Sequence, residues 1–186
     1  MIGLINGFLN VSRLESGKML IEKQDFKIRA LLVDHIDEIQ VTAMSHVIEL
    51  TRCDDVTVFA DREKIGIVVS NLLSNAVKYA PQAKHIQVSC QLMTGKQNDD
   101  QSAAIGSFIQ VSVKDEGLGI QKEDLNQIFD RYYRVETVNT KDISGFGIGL
   151  YLSAEIIAYH GGQIWAESEL GKGSTFYFTL PVSNHI

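Results

Sequence analysis

Apolar positions recur at helical spacing through Ile65, Val69, Leu72, Leu73 and Ala76, and this stripe predicts an amphipathic helix starting after Asp61 and running through Tyr79. A second stripe, Ile28, Leu31, Leu32, Ile36 and Ile39, predicts a helix from a cap at Asp25 to about Ser45. Strict or near alternation predicts strands over 46–51, 56–60, 86–93, 108–113 and 176–180. A polar, glycine-containing stretch, 94–106, separates two of these strands. Helical periodicity also runs from Leu4 to a stop at Gly17, and again from Gly149 to about His160. The predicted architecture is an α/β (α+β) two-layer sandwich: a mixed sheet of about five strands with three helices on one face.

The helix over Asn71 to Tyr79 carries an unusual polar face. Asn75 follows Asn71 by four residues, and Lys78 and Tyr79 follow Asn75 by three and four, so all four share one side of the helix. Asparagine competes for backbone groups inside a helix, and two of them call for a reason. Amide oxygens, an ammonium and a ring can hold a metal, a phosphate and a base; a solvated surface is the plainer alternative. Three glycine-bearing segments follow: Asp115-Glu116-Gly117-Leu118-Gly119-Ile120 after an alternating strand, Gly145-Phe146-Gly147-Ile148-Gly149-Leu150 at a helix start, and Gly171-Lys172-Gly173-Ser174-Thr175 before a strand. Each alone marks only a turn. Their order, with Ile128-Phe129-Asp130-Arg131-Tyr132-Tyr133-Arg134 between the first two, is far more specific.

With these boxes in this order, the region from about Asp55 to Pro181 resembles the ATP-binding catalytic domain of sensor histidine kinases (the Bergerat fold), within the wider group of gyrase, Hsp90 and MutL ATPases. The resemblance implies ATP and Mg2+ as ligands. It makes Asn75 the metal ligand, Lys78 and Arg134 phosphate contacts with Arg131 a weaker one, and Tyr79 a ring against the nucleotide. Tyr79 serves equally well as a core-edge tyrosine. Asp115 accepts from the adenine amino group, with Gly117, Gly119 and Ile120 beside the base and sugar. Residues 145–150 (Gly145, Phe146, Gly147, Ile148, Gly149, Leu150) close on the phosphates, and Thr175 belongs to the last box. Phe129 anchors a lid over about 130–146, polar and without an apolar stripe.

Two departures matter. Phe146 stands where the family has Thr or Ser, and Ile148 where it has Leu, which removes a hydroxyl from the phosphate side. Asn71 occupies the position of the glutamate base in the hydrolytic relatives, and an amide is no base near neutral pH. Rapid hydrolysis is not expected, and the γ-phosphate is kept for another acceptor. None of His35, His46, His85, His160 or His185 has the phosphoacceptor context of the family, and His160 reads as a helix C-terminal residue facing the macrodipole. Residues 1–20 resemble the tail of a dimerisation helix, leaving 25–186 as the catalytic domain and placing the acceptor histidine outside the chain.

Composition is compatible with this. The 186 residues, 45% hydrophobic and 22% charged, suffice for one buried domain with an appendage. A net charge of −6 argues against a nucleic-acid partner. Cys53 and Cys90 lack metal spacing and read as free thiols. With no signal peptide or spanning run, a cytoplasmic fragment is expected. Its implied partners are the histidine-bearing dimerisation domain and, indirectly, a response regulator receiver domain; the parent can be dimeric and anchored at an inner membrane. A catalytically silent nucleotide-gated module and a clamp-type ATPase stand as alternatives to the kinase.

Overall fold

The computed structural model describes residues 19–95, 106–135 and 145–182. In chain order these form β1 (Gln24–Lys27), α1 (Ile28–Thr42), β2 (Val47–Cys53), β3 (Thr57–Ala60), α2 (Arg62–Tyr79), β4 (His85–Gly95), β5 (Gly106–Asp115), α3 (Gly149–Tyr159), β6 (Ile164–Glu169) and β7 (Gly173–Pro181). The main sheet has the order β2-β4-β5-β7-β6, with β2 parallel to β4 and every other pair antiparallel. Its inner face carries Ile86, Val88, Ile109, Val111, Val113, Phe176, Phe178 and Leu180, all buried with the apolar stripes of the three helices. The outer face is polar: Ser89 and Ser112 share a hydrogen bond of 2.8 Å, and the rings of Trp165 and Tyr177 stack at 5.1 Å. The predicted two-layer sandwich is therefore the observed one.

Helix α2 follows the sequence expectation closely. Asp61 caps it by accepting from the Lys64 backbone N–H at 3.1 Å, and Ile65, Val69, Leu72, Leu73 and Ala76 are all buried. Helix α1 buries Ile28, Leu31, Leu32 and Ile36, but it starts and stops inside the predicted bounds. Asp25 is not its cap. It lies in β1, which pairs antiparallel with β3 as a separate two-stranded ribbon, Asp25 opposite Phe59. The helix instead begins after Lys27, and the Ile28 N–H donates to Val56 O at 3.2 Å, so a carbonyl just before β3 accepts from the first N–H of the helix. β6 has no clean alternation and is organised by its pairing with β7.

The expectation of free thiols is overturned. Cys53 and Cys90 form a disulfide, with Cα atoms 4.3 Å apart. The two residues are 37 apart in sequence, but β2 and β4 are parallel neighbours whose register sets Cys53 opposite Cys90. Only the strand pairing reveals that proximity. The proposed dimerisation-helix tail falls almost entirely on residues outside those described, as do most of the polar 94–106 stretch and the middle of the lid. No described helix is long and apolar enough to cross a membrane.

His160 sits at the C-cap of α3, as predicted, and its hydrogen bonds fix its protonation there. It is buried, its Nδ1–H donates to Ile156 O at 2.7 Å, and its Nε2 accepts from the Asp61 backbone N–H at 2.9 Å. One nitrogen must donate and the other accept, so the ring is neutral. Burial holds its pKa below the ordinary histidine value, and burial lowers that of His35 likewise. The unfolded chain then binds more protons than the folded one as pH falls through the unfolded histidine range, so stability is full above that range and is lost below it. Urea midpoints are expected to drop between pH 7.5 and 6, and His160→Gln, which can still accept but does not titrate, should leave only the slope that His35 supplies.

Candidate functional site

A cleft of about 1980 Å³ opens between the polar face of α2, the end of β5 and the start of α3. Asp115, the last residue of β5, is only 4% exposed. Burial raises its pKa, while backbone N–H groups of Gly117 and Ser174 oppose that by favouring the carboxylate. The Gly117 N–H reaches Oδ1 at 2.8 Å. The loop that follows is stitched on both sides. Leu118 N–H donates to Tyr79 O at 3.0 Å, at the end of α2, while Gly171 N–H donates to Leu118 O and Ile120 N–H to Ser168 Oγ on the β6–β7 side. A Cβ on residue 117 would lie 2.2 Å from Tyr79 O, so the glycine is demanded by the protein's own backbone.

Along the cleft wall α2 presents Asn71, Ser74, Asn75 and Lys78, with Tyr79 at its end. The single predicted face is thus real, and it faces a cavity. Opposite, Gly145, Phe146, Gly147, Ile148, Gly149 and Leu150 line the cleft where α3 begins. The two stems of the predicted lid meet here: Tyr132 N–H donates to Gly147 O at 2.8 Å, and both residues have left-handed backbones, φ 65° and 66°. A Cβ at 147 would come within 2.6 Å of the Tyr132 and Tyr133 backbone, which excludes larger residues. Phe129 and Tyr133 pack on the core, and the Tyr133 hydroxyl donates to Asp124 Oδ1 at 2.6 Å.

Of the predicted site residues, the structure gathers Asn71, Asn75, Lys78, Tyr79, Asp115, Gly117, Gly119, Ile120, Arg134 and all of residues 145–150 around this one cleft. Arg131 is not among its lining residues; its guanidinium lies 4.5 Å from the Tyr132 ring centroid and bonds to the Tyr132 hydroxyl. Thr175 is also absent from the lining, because strand alternation sets it opposite Lys114 and Glu167 on the outer face of the sheet. Ser174 takes the inward position, supporting Asp115 and sharing a hydrogen bond of 2.9 Å with Ser168. Extending the inward Phe176, Phe178, Leu180 phase back by one step would have found Ser174.

The donor set suits a nucleotide better than a protein-bound metal. Among the described residues no three His, Cys, Asp or Glu side chains cluster to hold an ion. Asn75 contributes one neutral amide oxygen, enough for a magnesium ion bound chiefly through phosphate oxygens and water. A buried carboxylate, a lysine and the N-terminus of a helix on the walls of one cleft suit a ligand that carries both a base and phosphates.

Residues 60–184 match the family model described as histidine kinase-, DNA gyrase B-, and HSP90-like ATPase. The sensor histidine kinase WalK of Bacillus subtilis is 36% identical over 97% of this chain, and the sensor protein SrrB of Staphylococcus aureus is 32% identical over 96%. The chain spans only 28% and 29% of those relatives. Among solved structures, the catalytic domain of histidine kinase ThkA, 26% identical, superposes with a TM-score of 0.66 over 86% of this chain and 95% of its own. Full-length ShkA, solved with AMPPNP, has the same fold at 22% identity, with a TM-score of 0.78 over 97% of this chain and 35% of its own.

Proposed function

The chain belongs to the histidine kinase-, DNA gyrase B-, and HSP90-like ATPase family, and from that premise we propose that it is the ATP-binding catalytic domain of a two-component sensor histidine kinase. The observation that carries this reading is the convergence on one cleft of Asp115, the α2 face with Asn71 and Asn75, and the glycine-rich start of α3. Asp115 accepts from the adenine amino group and so selects adenine over guanine. Lys78 and Arg134 hold phosphate oxygens, the backbone N–H groups at the start of α3 face the same anion, and Asn75 offers its amide oxygen to magnesium. When bound, the magnesium ion neutralises charge on the phosphates.

Asn71 supports transfer over hydrolysis, since no carboxylate base faces the γ-phosphate from that position. An acceptor histidine ring nitrogen from a dimerisation domain would attack the γ-phosphorus. The new P–N bond forms as the bond to the β,γ-bridging oxygen breaks, and ADP leaves. A response regulator receiver domain would then draw on that phosphohistidine. Labelled ATP mixed with this chain and the parent's histidine-bearing domain should yield acid-labile phosphate on the supplied domain, and the chain alone should gain none. Steady ATP hydrolysis by the chain alone would favour the clamp-type ATPase instead.

A further inference from the structure

Helix α3 begins without the usual supports. Its N-cap, Ile148, makes no side-chain capping bond, and its first turn holds no acidic residue. Three glycines among residues 145–149 lead into it, so little in the local chain fixes where its first turn points. The anchorage comes from elsewhere. The Ser153 hydroxyl, fully buried, donates to Gly149 O at 2.9 Å. Asn71 Nδ2, from the middle of α2, donates to the same carbonyl at 3.2 Å and to Ser153 Oγ at 3.3 Å. The donors are fully used: one hydroxyl hydrogen and two amide hydrogens meet one carbonyl and one hydroxyl oxygen. Turning the amide over would set two oxygens against each other, so the network fixes its orientation.

We propose that Asn71 and Ser153 are positioning residues that latch the first turn of α3 to the metal-bearing helix α2, aiming its N–H groups at the nucleotide phosphates. The inference rests on the nucleotide-binding reading of the cleft and adds Ser153 to it. It also gives position 71 a reason to carry an amide: a carboxylate there has no hydrogen to donate to Gly149 O or Ser153 Oγ, so both of the bonds that residue 71 gives the latch are lost. Because the latch acts on the phosphate end alone, its loss should alter how the protein discriminates among nucleotides by phosphate content.

The test compares two ligands. Calorimetry with a non-hydrolysable ATP analogue and magnesium, and NMR titration with adenosine, are run on the wild-type chain, Ser153→Ala and Asn71→Asp. Loss of these bonds should weaken the analogue about three- to tenfold and leave adenosine within twofold. A role confined to folding stability would move both ligands together. Equal losses for both ligands, or none for the analogue, in whichever variant folds would overturn the latch. Failure of the wild-type chain to bind either ligand would instead overturn the nucleotide reading beneath it.

Discussion

Asp115→Ala is expected to weaken magnesium-ATP about 10- to 100-fold, the loss that follows when a hydrogen bond to a charged acceptor, worth roughly 1.5–3 kcal/mol, is removed. The scaffold around residue 115 makes this a clean test. Its carboxylate already holds the Gly117 N–H, and the following loop is separately stitched to Tyr79 and Gly171, so removing the side chain leaves the loop tethered. The effect should be specific for the base. Calorimetry should show the wild-type chain preferring ATP to GTP and Asp115→Ala losing most of that preference. Equal wild-type affinities for the two nucleotides would remove Asp115 from adenine recognition.

The largest effect is expected from Asn75→Ala in phosphoryl transfer to a supplied histidine-bearing domain: a fall on the order of 100-fold or more, the scale seen when electrostatic support for a transition state is removed. Asn75 lies on the α2 wall of the cleft one turn beyond Asn71, and among the described residues no acidic cluster stands by to hold an ion in its place. The readout is acid-labile label on the supplied domain over time. Even the wild-type rate will be slow, because separating the two domains removes the high effective concentration that a covalent tether provides. Normal transfer by the Asn75 variant would contradict the assigned metal role.

Much of this was legible in the sequence, for reasons that also mark the limits. The α2 stripe and its polar face could be read because a helix imposes its period on consecutive residues, and the Asp61 cap is local as well. The central strands showed as alternation because only one face of the sheet is covered. What escaped depends on partners distant in sequence. Asp25 looked like a cap, yet it pairs with Phe59; the two cysteines looked independent, yet strand register joins them. His160 read as a helix C-terminal residue, which it is, but the bond that its second nitrogen accepts from the Asp61 N–H, 99 residues away, left no local trace. Within the site, Thr175 and Ser174 differ only in strand phase, and Ser153 gave no sign at all, since a single serine in an apolar helix acquires meaning only when Asn71 lies against it.

The hydrogen bond that joins Tyr132 to Gly147 bears on how much chain can lie between them. With both ends of the intervening segment pinned by one backbone hydrogen bond, the entropic cost of closing that segment grows only logarithmically with its length, about 0.6 kcal/mol per doubling. Loop-closure entropy by itself therefore sets no tight limit on the number of residues between these two positions. Gly147 has no such latitude, since any larger residue would drive the stems apart.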